Sequence, residues 1–108
     1  MKKIEDNIQR NIIKNFRLIF KDSIIFAVPN GGSRNAIEAS NLKRSGVLAG
    51  VSDLIVIHKG KCYFIEVKQP KGKQSDNQKL FQELIKLQGF EYHIIYSFND
   101  LYLILNEK

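Results

Sequence analysis

Two carboxylates and a lysine interrupt an otherwise apolar part of this sequence. Asp53 precedes Leu54-Ile55-Val56-Ile57, and Glu66-Val67-Lys68 follows Cys62-Tyr63-Phe64-Ile65. Residues 51–57 and 62–67 are rich in β-branched and aromatic side chains and read as two strands. The link His58-Lys59-Gly60-Lys61 reads as a tight hairpin. With Lys59-Gly60 as a two-residue turn, Ile57 faces Cys62, Val56 faces Tyr63, Ile55 faces Phe64 and Leu54 faces Ile65. Asp53 then falls directly opposite Glu66, where cross-strand Cβ atoms are ~4.5–5.5 Å apart. Side chains alternate along a strand, so Lys68 shares the face of Glu66.

Like charges set opposite each other destabilise a sheet. A divalent cation removes the conflict, and hard carboxylate oxygens suit Mg²⁺ or Mn²⁺. The Val67 carbonyl lies between the side chains and offers a further ligand. A cation beside an ammonium is a site for a phosphate-like anion, with the metal acidifying water and stabilising charge on phosphorus. Lys68 would orient the water or stabilise the developing charge. The plainer alternative pairs Asp53 with Lys68, or lets it cap a turn, and leaves Glu66 solvated at a strand end. Two charges and a lysine within apolar strands of a basic protein favour the metal site.

The elements around this pair follow from periodicity. Ile4, Ile8, Ile12, Phe16 and Ile19 recur at three- and four-residue steps, which predicts an amphipathic helix over 4–20. Residues 24–28 form a short β run ended by Pro29, and Pro29-Asn30-Gly31-Gly32 is turn chemistry. Residues 36–45 read as a short helix with Ile37 and Leu42 inward and Gly46 as its stop. Ser75 opens a helix to about Gln88, with Leu80, Phe81, Leu84, Ile85 and Leu87 as its apolar stripe. Residues 92–96 are a strand that is apolar at its centre. Ser97 and Asp100 signal a closing helix through Leu105, with a final strand over 101–105 as the alternative. Both hairpin strands are apolar on both faces, so helices are expected on both sides of the sheet. The expected architecture is a single α/β domain, a mixed sheet flanked by helices in the order α-β-α-β-β-α-β-α.

The chain has 108 residues, enough for one domain. It carries 17 Lys and Arg against 11 Asp and Glu, a net charge of +6, which favours a polyanionic partner and nucleic acid first. No apolar run is long enough for a membrane span, and the polar start lacks a signal peptide. The lone Cys62 excludes an intramolecular disulfide and a cysteine-based zinc site. An intracellular, cytoplasmic protein is expected. No P-loop and no serine or cysteine nucleophile arrangement is visible.

The pattern Gly50-Val51-Ser52-Asp53-Leu54 followed by Phe64-Ile65-Glu66-Val67-Lys68 resembles the PD-(D/E)XK nuclease superfamily. With Glu5 to Gln9, Pro29-Asn30-Gly31-Gly32, Leu42-Lys43 leading to Gly46, Glu66 to Pro70 and Gln78, the chain more specifically resembles the VRR-NUC (virus-type replication-repair nuclease) family. The resemblance spans nearly the whole sequence. Val51 stands where the superfamily name has proline, which leaves the aspartate in place. The resemblance implies a restriction-endonuclease-like fold, with Asp53 and Glu66 as metal ligands and Lys68 as the catalytic lysine. It also implies that Glu5 completes the acidic site, directly or through water, and that Gln78 sits near it. Single-domain members are typically viral or phage proteins that resemble Holliday-junction resolvases and form dimers. This chain has no room for the additional DNA-binding domains of larger members.

Each of these residues also has a simpler role open to it. Glu5 suits any helix start, and Gln78 completes a capping box with Ser75. Lys71, Lys73 and Lys79 follow the Glu66-Val67-Lys68 strand and, with Lys43 and Arg44, would track phosphates; otherwise they are solvated charges. Arg34, beside the two glycines, is a further phosphate contact. His58 and His93 lack metal-ligand spacing and read as hairpin and strand residues. The expected function is a Mg²⁺- or Mn²⁺-dependent DNA endonuclease acting on branched DNA such as a four-way junction, as a homodimer. The rivals are a less selective duplex- or flap-nicking enzyme of the same fold and a non-catalytic DNA-binding module.

Overall fold

The computed structural model describes residues 2–29, 40, 41 and 43–107. Helix α1 spans Lys2–Ile19 and strand β1 Ile24–Ala27. Strands β2 (Leu54–His58) and β3 (Lys61–Val67) form the hairpin. Helix α2 (Asp76–Leu87), strand β4 (Glu91–Ile95) and helix α3 (Phe98–Leu105) complete the chain. Ser40, Asn41, Lys43 and Arg44 are helical and Gly46 adopts φ 104°, in keeping with the helix expected over 36–45. The rest of that expected helix, the turn residues Asn30, Gly31 and Gly32, and Arg34 lie outside the described residues.

The four strands form one mixed sheet in the order β1-β2-β3-β4. β1, β2 and β3 pair antiparallel, and β4 joins β3 in parallel after the α2 crossover. The hairpin register is the one read from the sequence, from His58 opposite Lys61 to Leu54 opposite Ile65. Lys59 at φ 50° and Gly60 at φ 79° both take left-handed backbone, the geometry of a two-residue turn that matches strand twist.

One face of the sheet is fully covered. Ile12 and Phe16 of α1 and Leu101 and Leu105 of α3 pack on Ile25, Leu54, Val56, Tyr63, Ile65, Val67 and Ile95. Each buried aliphatic or aromatic side chain there stabilises the fold by ~1.5–3 kcal/mol. Ser97 caps α3 by accepting from the Asp100 amide, which settles the closing segment as a helix.

Helices lie on both sides of the sheet, as expected, and on the second face the described residues cover the β3–β4 half. Phe81 of α2 packs on Phe64 and Tyr92, and Phe90 packs on Phe64. This covers β3 and β4. Among the described residues no helix covers the β1–β2 half, where Ile24 is 53%, Phe26 43% and Ile57 39% exposed. The apolar stripe of α2 is not core either: Phe81 is buried, whereas Leu80, Leu84 and Leu87 are exposed. A helix three turns long can bury only the positions directly above the strands it crosses.

Candidate active site

The carboxylate pair forms where β2 begins and β3 ends. β2 starts at Leu54, one residue later than the ladder would need to include Asp53. Asp53 therefore lies just outside the ladder rather than in a formal pair with Glu66. Its carbonyl accepts from the Val28 amide at 2.8 Å, which ties it to the end of β1. Its carboxylate reaches across the hairpin end, and Oδ2 accepts the Val67 amide at 2.7 Å. The Val67 backbone thus joins the site by orienting Asp53.

Glu66 is fully buried on the face covered by α2. Its Oε1 accepts from Gln74 Nε2 at 3.1 Å and from the Tyr92 hydroxyl. Its Oε2 is buried with no hydrogen-bond partner, and Lys68 Nζ lies 3.5 Å away. Lys68, itself buried, donates to Gln78 Oε1 at 3.1 Å. The same Gln78 oxygen accepts the Ser75 amide at 2.8 Å, while Ser75 Oγ accepts the Gln78 amide at 3.2 Å. Gln78 is thus both the capping residue of α2 and a partner of the site lysine. The capping box fixes the start of the helix, and the helix start fixes Lys68.

Glu5 projects from the first turn of α1, and its Oε2 accepts the Gln69 amide at 3.3 Å. In the turn beyond, the Gly72 amide donates to the Gln69 carbonyl at 2.9 Å, and Lys71 between them adopts φ 68°. A non-glycine residue in left-handed backbone costs of order 1 kcal/mol or more, and such strain gathers at functional sites. A Cβ on Gly72 would lie 3.4 Å from both Glu5 Oε2 and Lys68 Cδ, so the turn fits closely over the site.

A cleft of about 810 Å³ opens over this corner. Glu5 and Gln9 of α1, Asp53, Val67, Asn77 and Gln78 line it, with Val47 and Leu48 on its apolar side. Gly50 fastens that side to α2. It adopts φ 84°, and a Cβ there would overlap the Asn77 carbonyl.

Burial pushes the Asp53 carboxyl up from 3.8 to about 6; the Val67 amide lowers it, Glu66 and Glu5 raise it, and Lys68 lowers it. The phenol of Tyr92 is pushed above its ordinary range, first by burial and then by its bond to Glu66. Both effects describe a water-poor corner first, to which neighbouring carboxylates add a smaller contribution. Among the described residues, no three His, Cys, Asp or Glu side chains gather closely enough to hold a metal ion. Asp53 and Glu66 remain as a pair, with a buried carboxylate oxygen that has no hydrogen-bond partner. This donor set fits Mg²⁺ or Mn²⁺, because Mg²⁺ keeps several waters and binds proteins through one or two carboxylates.

The structure thus brings Asp53, Glu66, Val67, Lys68, Glu5 and Gln78 to one corner. Lys43, Arg44, Lys71, Lys73 and Lys79 are exposed and outside the carboxylate network, and Arg44 donates to Asn41. Sequence reasoning missed Tyr92 and Gln74. Alternation along β4 places Tyr92 on the Glu66 face once β4 is known to flank β3, but that pairing follows from the α2 crossover rather than from any local signal. Gln74 sits in a loop without periodicity.

The histidines lie elsewhere, as expected. His58 Nδ1 is paired with Ser23 Oγ at 2.6 Å, and His93 with Glu91 at 2.9 Å. No helix of the described residues is long and apolar enough to cross a membrane.

Comparisons with known proteins bear on the fold and the family. No curated protein matches the chain. One solved structure, a "VRR_NUC domain protein", superposes with a TM-score of 0.77 at 23% identity, covering 96% of this chain and 86% of that one. A second, a "VRR_NUC domain", gives 0.66 at 19% identity, covering 97% and 98%. At these identities the likeness shows the shared fold. The family model described as the VRR-NUC domain matches residues 5–99, from the glutamate at the start of α1 to the start of α3. The chain belongs to the VRR-NUC domain family and has its nuclease-type fold.

Proposed function

We propose that the protein is a divalent-metal-dependent endonuclease that hydrolyses phosphodiester bonds in branched DNA, with a four-way junction as its best substrate. The carrying observation is that Asp53 lines the cleft, with the buried Glu66–Lys68 pair behind it at the same end of the hairpin, one Glu66 oxygen being bonded and the other without a hydrogen-bond partner. Among the described residues lining the cleft, Glu5, Asp6 and Asp53 are acidic and none is Lys or Arg. A polyanion enters such a cleft only with cationic help, which favours bound Mg²⁺ or Mn²⁺ over a merely basic binding groove.

Asp53 and Glu66 would hold the cation, with the Val67 carbonyl as a further oxygen. The cation would supply Lewis-acid polarisation of the phosphate. Lys68 stands beside Glu66 and stabilises negative charge developing on the phosphoryl oxygens. Gln78 holds the Lys68 ammonium in place. Glu5 holds the turn through Gln69 and adds negative charge near Asp53, which makes it a support for the metal site rather than a third direct ligand. Lys71 and Lys73 on that turn, Lys79 on α2, and Lys43 and Arg44 before the cleft wall would contact flanking phosphates; Arg34 would add another.

The apolar face of β1 and β2, which no helix of the described residues covers, supports a homodimer. Two copies joined there would bury Ile24, Phe26 and Ile57 and would present two sites to two strands. The setting would be the cytoplasm, of a host cell if the protein is viral.

The test is cleavage of a labelled four-way junction beside its component duplex arms, each in Mg²⁺, Mn²⁺ or EDTA. Paired cuts confined to the junction, absent in EDTA, are expected. Equal cutting of the arms would remove junction preference and leave a general nicking nuclease.

A further inference from the structure

A buried carboxylate at a strand end has two equivalent oxygens and a soft terminal torsion. Nothing in the backbone decides which oxygen faces a ligand. In Glu66 that choice is made by two side chains from outside the strand. Both the Tyr92 hydroxyl and Gln74 Nε2 donate to Oε1, while Oε2 has no hydrogen-bond partner and lies 3.5 Å from Lys68 Nζ.

The two donors are themselves fixed. Tyr92 is buried, opposite Phe64 in the parallel ladder, and its ring meets Phe81 edge-on at 6.1 Å. Phe81 also meets Phe64 edge-on at 6.0 Å, so helix α2 clamps the phenol from above. Gln74 Nε2 is also held by Gln82 Oε1 of α2 at 2.9 Å. Neither donor lines the cleft. Both donate to the same Glu66 oxygen, so their effect on a bound cation passes through Glu66.

We propose that Tyr92, assisted by Gln74, is a positioning residue that locks one oxygen of Glu66 and so commits the other to a divalent cation. This rests on the metal-dependent reading above. Partners behind metal-ligating carboxylates and histidines typically change metal affinity 10–100-fold when removed. Tyr92 and Gln74 stand in that relation to Glu66, and α2 holds both of them as well as Lys68. The crossover helix then organises the metal-binding half of the site from behind, in addition to covering the sheet.

The test is Mn²⁺ binding by the purified protein, followed by electron paramagnetic resonance of the free ion, without DNA. Tyr92→Phe removes the hydroxyl and keeps the ring against Phe81. Its Mn²⁺ dissociation constant is expected to rise about tenfold or more, with its unfolding temperature close to wild type. In cleavage assays the Mn²⁺ concentration for half-maximal rate should rise, while the rate at saturating Mn²⁺ changes far less. Should Tyr92→Phe not fold, Gln74→Ala alters a loop instead of the core and is expected to weaken Mn²⁺ binding by a smaller factor. Unchanged affinity in a folded Tyr92→Phe, or in Gln74→Ala where that variant replaces it, would overturn the positioning role alone. A wild-type protein that binds no Mn²⁺ would overturn it together with the metal-dependent reading.

Discussion

Replacing Asp53 with Asn should make the protein more stable while disabling its site. The folded structure raises the Asp53 carboxyl from 3.8 to about 6, chiefly by burial. Between these values the folded protein keeps a proton that the unfolded chain has lost. Wild-type stability therefore falls as pH rises through this window, and above about 6 the full cost of holding the charge is present. A tenfold change in a protonation equilibrium corresponds to ~1.4 kcal/mol, so the rise amounts to about 3 kcal/mol before screening by solvent, and roughly 1–2 kcal/mol after it. Asn carries no charge, keeps a carbonyl oxygen for the Val67 amide, and nearly preserves the shape. For a domain of this size ~1 kcal/mol moves the unfolding temperature by ~4–8 °C. The assay is urea or thermal unfolding of both proteins from pH 4 to pH 8 without divalent metal. The stability gap between Asp53→Asn and wild type should be near zero at pH 4, open up to about pH 6 and stay level above it. A gap independent of pH, or an Asn variant less stable than wild type at pH 7, would refute the electrostatic reasoning. Adding Mg²⁺ at pH 7 should narrow the gap by stabilising wild type selectively.

Other expectations follow from the supports of the site. Gly50→Ala forces a Cβ into the Asn77 carbonyl at a left-handed φ, so a loss of roughly 2–4 kcal/mol in denaturant unfolding is expected. Ser75→Ala removes the cap of α2 and should cost ~1 kcal/mol, with a further loss of cleavage because Gln78 no longer holds its place beside Lys68. If the proposed dimer forms through β1 and β2, Phe26→Glu should convert it to monomer in light scattering while leaving the thermal unfolding of the monomer nearly unchanged; a variant that stays dimeric would place the contact elsewhere, and a monomeric wild type would refute the dimer.

Much of the site was legible because a hairpin register is a local property. Lys59-Gly60 fixed the turn, the turn fixed the pairing, and alternation then carried Glu66 and Lys68 to one face. The capping signals of Ser75 with Gln78 and of Ser97 with Asp100 were legible for the same reason. Asp53 lies one step past the β2–β3 ladder, held by the Val28 amide on its carbonyl and the Val67 amide on its carboxylate, contacts between segments far apart in the chain. Burial was least legible. Ile24, Ile57, Leu80 and Leu84 are as apolar as core residues, yet whether they are covered depends on where a single crossover helix lies across the sheet. Tyr92 and Gln74 were invisible for a related reason: their value lies in pointing at Glu66, which for Tyr92 needs the parallel pairing of β4 with β3 and for Gln74 a loop held against α2.

Everything proposed for this corner depends on its hydrolysing phosphodiester bonds through Asp53, Glu66 and Lys68. The decisive assay is single-turnover cleavage of an end-labelled four-way junction in Mn²⁺ by wild type and by Lys68→Ala, with EDTA as control. Cut products are expected from wild type with Mn²⁺ alone, with a loss of at least about a hundredfold in a Lys68→Ala protein that still folds and still binds the junction. Folded wild-type protein that binds the junction and releases no product would contradict this chemistry and leave a DNA-binding module on a nuclease fold.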